Sequence, residues 1–311
     1  MISTLAIYCG LIALASLGGG LVPLVVRLTH RRMQIALSFV AGVMLGVGLL
    51  HLLPHSFYEL EQGGGPSQIA VTVFWVLVGF MLMFFLERFF HFHHHDAPDE
   101  AEVDSHEGHS HAHDHAHGHD SCEMEHHSAH RFAWGGAAIG LLVHTIVEGI
   151  ALGAALRVDQ QDQLIPWAGA GTFLAILLHK PFDSLTIGTL MAAGGWSPAS
   201  RHLVNFLYAM VVPCTVLAFY FGADQLGESH QFLGKALGFA AGAFLCIATS
   251  DLLPELQFHH HDRLALSIAL VAGIALAMGL VRLEESGHDH HSHLPARSAA
   301  PAVNRNAEAP R

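Results

Sequence analysis

Apolar residues fall along this chain in long unbroken runs, separated by short polar breaks. Eight runs, at 4–26, 35–58, 69–90, 132–156, 165–193, 202–222, 233–257 and 264–283, each reach the roughly 20 residues that a helix needs to cross a bilayer. The pattern predicts an all-α membrane protein with eight transmembrane helices. The first run is read as a retained span, not a signal peptide. Met1 to Leu5 carries no positive charge, and the apolar stretch continues past Gly20 to Val26.

Two segments break the pattern. Residues 91–131 hold 14 histidines and ten Asp or Glu, and 284–311 hold His288, His290, His291 and His293 before a Pro/Ala/Arg tail. Neither has enough apolar surface to offset chain entropy, so both are expected to be disordered. The organisation expected is helices 1–3 over 1–90, a His-rich loop over 91–131, helices 4–5 over 132–193, helices 6–8 over 194–283 and a tail over 284–311.

Composition agrees with burial in lipid. Of 311 residues, 52% are hydrophobic and 13% charged, about half the charged share of a soluble domain. A net charge of −12 leaves no basic face for nucleic acid. Cys9, Cys122, Cys214 and Cys246 lie far apart, with no disulfide framework or zinc-finger spacing. Arg27, Arg31 and Arg32 follow the first run, whereas the loop after the second, 59–68, has no Lys or Arg. By the positive-inside rule the first loop is cytoplasmic. Both termini are then outside the cell membrane and the His-rich loop is cytoplasmic.

The chain repeats itself. FVAGVMLGVGLLHLLPH (39–55) aligns with FAAGAFLCIATSDLLPE (239–255), matching Phe, Ala, Gly, Leu and Leu-Leu-Pro, with His51 over Asp251 and His55 over Glu255. The copies lie in spans 2 and 7 and so run in opposite directions. That predicts a 3+2+3 arrangement, an inverted repeat of helices 1–3 and 6–8 around helices 4 and 5. Inverted repeats are common among transporters, which hold substrate where the repeats meet. His51 and His55 then lie toward the outer face, and Asp251 and Glu255 toward the inner face.

Ionisable residues in the spans mark the chemistry. Span 4 reads GLLVHTIVEGIALG and span 5 AILLHKPFDSLTIG. His144 and Glu148, and again His179 and Asp183, are four apart, so each pair shares one helical face. Polar groups at this depth are costly unless compensated. Two imidazoles and two carboxylates suit Zn²⁺ and admit other divalent ions, Fe²⁺, Mn²⁺ and Cd²⁺ among them. Pro181 lacks an N–H, frees the carbonyl of Leu177 and bends span 5; Pro54 and Pro254 do the same beside the outer and inner polar positions. Lys180 is expected to set its ammonium on Glu148 or Asp183, where a second cation would otherwise bind. The tract HEGHSHAHDHAHGH (106–119) offers imidazoles between acids, a loose buffer or sensor for dications.

These motifs resemble the ZIP (Zrt-/Irt-like protein) family of divalent metal transporters. HTIVEG (144–149) is similar to the family's span-4 signature, HKPFD (179–183) to its span-5 counterpart, and FVAGVMLGVGLLHLLP to its second span. The resemblance implies eight spans, both termini outside, metal moved into the cytoplasm, and a primary metal site at His144, Glu148, His179 and Asp183. At the two positions where binuclear members place a second site stand Thr145 and Lys180, so one bound ion is expected. A homodimer is compatible with the resemblance. No catalytic residue or cofactor is implied; zinc is cargo.

Two other classes share part of this pattern. A cation-diffusion exporter also uses His-x3-Asp pairs, but needs about six spans and a cytoplasmic C-terminal domain. An intramembrane zinc hydrolase needs an HExxH or a comparable base, and neither is present.

Overall fold

A computed structural model describes residues 2–25, 29–64, 67–90, 123–161, 168–222, 230–250 and 263–289, all helical or in short turns. The helices are α1 (Ile2–Val25), α2 (His30–Val47), α3 (Leu53–Gln62), α4 (Gln68–Phe90), α5 (Glu123–Gln161), α6 (Ala170–Ala193), α7 (Pro198–Gly222), α8 (His230–Ser250) and α9 (Arg263–Asp289). A π-helical turn, Gly48–Leu52, joins α2 to α3 without a break in direction. It lies just ahead of Pro54, whose ring cannot fit against the carbonyl four residues back in a regular helix. In the wider turn the N–H of Leu53 reaches the carbonyl of Gly48.

Among the described residues, seven helical segments are long and apolar enough to cross a membrane: α1, the continuous stretch Arg31–Gln62, α4, α5, α7, α8 and α9. The eighth expected span, α6, falls short of that measure. Its 24 residues have the length, but His179, Lys180, Pro181 and Asp183 interrupt the middle. A helix this polar depends on neighbours to cover it, and α1, α5, α7 and α2 do so. Two boundaries also differ from expectation. α5 begins at Glu123, nine residues ahead of the expected span and inside the His-rich segment, and α9 continues six residues beyond 283 to Asp289. Once nucleated, a helix extends past the apolar region at little cost. Most of the His-rich segment and most of the tail lie outside the described residues.

The helices sort into two sets. α1, α5, α6 and α7 pack chiefly on one another, and α2–α3, α4, α8 and α9 do likewise. The sets meet where α5 lies on α8 and α6 on α2. α4 and α9 expose most of their surface, whereas α8, α5 and α2–α3 are the most enclosed.

Close crossings within the second set rest on glycine. A Cβ at Gly42 would overlap the backbone of α9 at Leu270, and one at Gly273 would overlap α2 at Phe39. The crossing of α8 on α4 uses the same parts: Gly242 against Val76 and Gly79 against Phe239. Phe39 and Gly42 stand 200 residues before Phe239 and Gly242. Such contacts let backbones approach closely where lipid supplies no hydrophobic drive between helices. α3 is fastened to α8 by two bonds: Ser56 Oγ donates to the Gly234 carbonyl at 2.7 Å, and Glu59 Oε2 accepts from His230 Nδ1 at 2.9 Å.

In the first set, α1 reaches the polar middle of α6. A side chain at Gly19 would overlap the backbone of Pro181, and Ser16 Oγ lies 2.7 Å from Ser184 Oγ. The same stretch of α1 meets α7, where Asn205 donates to the Leu17 carbonyl at 3.4 Å.

This packing sets a graded expectation. Gly42→Ala and Gly242→Ala each lower unfolding stability in detergent by about 1–3 kcal/mol, because the crossing helix must shift. Gly10→Ala and Gly279→Ala, which face open space, leave the thermal midpoint within error of the parent.

Candidate metal site

α5 and α6 each bring one imidazole and one carboxylate to a single point. On α5, His144 and Glu148 share a face, with Thr145 beside them; on α6, His179 and Asp183 do the same, with Lys180 beside them. One ligand atom from each of His144, Glu148, His179 and Asp183 lies within 4.8 Å of all the others. Glu148 has no solvent exposure, the two histidines are buried, and Asp183 is the most open of the four.

Glu148 is the pivot. Its Oε1 faces both imidazoles, 2.6 Å from His144 Nε2 and in close contact with His179 Nε2. Its Oε2 faces the other way, 2.7 Å from Lys180 Nζ. Asp183 Oδ2 closes the group at 3.6 Å from His144 Nε2. The ring of His179 is oriented by its other nitrogen, since Nδ1 lies 2.6 Å from the Ala175 carbonyl and can only donate there. That leaves Nε2 to face Glu148. Ligand histidines of metal sites are commonly held in this way through the ring nitrogen that does not bind the ion.

Lys180 is fully buried, and oxygens surround it. Nζ donates to Glu148 Oε2 and Thr145 Oγ1 at 2.7 Å each, and lies 3.3 Å from Asp183 Oδ2 and 3.2 Å from the Tyr208 hydroxyl. The sequence led us to expect Glu148 or Asp183 as its partner; it touches both. Thr145 Oγ1 also lies 2.8 Å from the Leu141 carbonyl and 2.7 Å from the Tyr208 hydroxyl. Tyr208, from α7, is the member of this group that sequence reading missed. Its only signal is a polar side chain, with Asn205 three residues before it, in an apolar span.

Of the other expected positions, His51 and His55 lie apart from this centre. His51, in the π-turn, and His55, at the start of α3, set their rings 4.6 Å apart, edge to face. His51 is buried against Gly171 in the first turn of α6, about 12 Å along that helix from His179. Asp251 and Glu255 lie outside the described residues.

The family model for the ZIP zinc transporters matches residues 3–281. The chain belongs to the ZIP family. Its ZIP relatives include zinc transporter ZIP9-A of Xenopus laevis, 27% identical over 88% of this chain and 91% of that one, and zinc transporter ZIP9 of Micropogonias undulatus, 26% identical over 88% and 93%. Zinc transporter 3 of Arabidopsis thaliana is 23% identical over 78% and 70%. ZIP proteins are transporters, not enzymes.

The charges at the centre are interdependent. Removing one partner of a buried ion pair strands the other, at a typical cost of 3–5 kcal/mol. Glu148→Gln and Lys180→Met are each expected to lower stability by about 3 kcal/mol. Together they cost less than the sum, because the double variant leaves neither charge behind. Denaturant unfolding of the four purified proteins measures this coupling.

Proposed function

We propose that this ZIP protein carries zinc across the membrane and into the cytoplasm, one ion at a time, held between His144, Glu148, His179 and Asp183. The observation that carries this reading is the convergence of those four ligand atoms from two adjacent, largely buried helices. Two nitrogens and two carboxylate oxygens make a set Zn²⁺ favours, and two negative charges offset a dication where the surroundings cannot. Fe²⁺, Mn²⁺ and Cd²⁺ are admitted by the same ligands, with availability deciding among them. A single ion is favoured because the Lys180 ammonium already occupies the face of Glu148 away from the imidazoles.

The path runs from His51 and His55 on the outer side, through the central four, to Asp251 and Glu255 and then the His-rich segment, which buffers metal in the cytoplasm. The position of His51 beside the first turn of α6, two helical turns from His179, supports the outer half. The arrangement is the eight-helix inverted repeat with both termini outside. Its support is the pair of matched crossings, α2 on α9 at Gly42 and α8 on α4 at Gly242, in which residues 200 apart play the same part. Access alternates by rocking one helix set against the other. The separate packing of α1, α5, α6 and α7 supports that division, with α1 and α7 moving alongside the metal helices.

Cells expressing the protein, loaded in turn with Zn²⁺, Fe²⁺, Mn²⁺ and Cd²⁺, test the reading. Zinc accumulation above background falls about tenfold or more in Glu148→Ala, Asp183→Ala and His144→Ala at matched surface amounts. Accumulation equal to the parent in Glu148→Ala and Asp183→Ala would remove the central group from transport.

A further inference from the structure

Tyr208 stands outside every motif, yet its hydroxyl reaches the most crowded part of the site. The side chain is 5% exposed. Its oxygen lies 2.7 Å from Thr145 Oγ1 and 3.2 Å from both Lys180 Nζ and Asp183 Oδ2, and its ring lies under the ammonium, 4.6 Å from Nζ to centroid. Thus α7, which supplies no ligand, touches groups from both metal-bearing helices.

A count of donors shows what the hydroxyl does. The Lys180 ammonium has three N–H groups. Two go to Glu148 Oε2 and Thr145 Oγ1, at 2.7 Å each. The third is divided between Asp183 Oδ2 at 3.3 Å and the Tyr208 oxygen at 3.2 Å. The Tyr208 hydroxyl in turn donates to Asp183 Oδ2. Tyr208 therefore takes up part of the third N–H and gives Asp183 Oδ2, the oxygen that lies 3.6 Å from His144 Nε2, a neutral donor. Without the hydroxyl, the third N–H would fall wholly on Asp183 Oδ2, and a cation on that oxygen would face direct competition from an ammonium that cannot leave.

We propose that Tyr208 is a positioning residue for metal binding: it keeps Asp183 available as a ligand by sharing the Lys180 ammonium. The proposal rests on the reading of the four residues as a zinc site and adds a determinant of its affinity. A purely packing role would act through the ring. Tyr208→Phe keeps the ring, and with it the contact beneath the ammonium, and removes only the oxygen.

The test is zinc binding to purified, detergent-solubilised protein, measured by calorimetry for wild type, Tyr208→Phe, Asp183→Asn and the double variant. Tyr208→Phe is expected to weaken zinc about tenfold, the scale of one hydrogen bond to a charged group. In the Asp183→Asn background the same change is expected to have less than a twofold effect, because the oxygen that Tyr208 serves has lost its charge. An unchanged affinity in Tyr208→Phe, or an equal loss in both backgrounds, overturns the proposal. Wild type that binds no zinc removes the site reading along with it, whereas normal wild-type binding with no coupling removes the role of Tyr208 alone.

Discussion

The Glu148 carboxylate is wholly shielded from solvent and is held between two imidazoles on one side and an ammonium on the other. An ionised carboxylate is tolerated in such surroundings only while it is paired and hydrogen-bonded. The remaining polar atoms of the site are arranged around that requirement. Lys180 Nζ pairs with one oxygen at 2.7 Å. The other oxygen meets His144 and His179, whose imidazole chemistry also suits a divalent ion. The same carboxylate thus joins a fixed cation to a place suited to an exchangeable one. Asp183 is more open and is shared among Lys180, Tyr208 and His144.

The packing around this centre is close where it must be. α6 is too polar in its middle to be a self-sufficient membrane helix, and α1 covers it at Pro181 through Gly19 and at Ser184 through Ser16. α7 closes the far side and brings Tyr208 to Lys180. In the second helix set, paired glycines let α2 lie against α9 and α4 against α8. The two sets touch each other along fewer surfaces than they touch within themselves, an arrangement suited to relative movement about a site that only one set carries.

Much of this was legible in the sequence. His-x3-Glu and His-x3-Asp report shared helical faces directly, because α-helical spacing fixes which residues point together. Their presence on consecutive spans was enough to expect one centre, and the ZIP resemblance assigned the same four residues. Gly42 and Gly242 stood out as matched positions of the repeat, although nothing in it named the helices they cross. Other features depended on tertiary approach and left little local trace. Tyr208 comes from a helix more than 20 residues beyond Asp183, and nothing in its own neighbourhood says which groups it meets. The sequence halves, helices 1–3 and 6–8, suggested two bodies with helices 4 and 5 between them, yet α1 and α7 pack with α5 and α6. A π-helical turn ahead of Pro54 was foreseeable only as a break. The helical start of α5 at Glu123 was hidden by a His- and acid-rich composition that reads as unstructured.

The central claim is that His144, Glu148, His179 and Asp183 grip one common ion. Zinc K-edge X-ray absorption of the purified protein loaded with one equivalent of Zn²⁺ tests it most directly. The account predicts a first shell of nitrogen and oxygen alone at about 2.0–2.2 Å, with the outer-shell scattering of two imidazoles, falling to one imidazole in His179→Ala. A shell of oxygen alone, or two imidazoles that persist in both His144→Ala and His179→Ala, would place the ion elsewhere and contradict it.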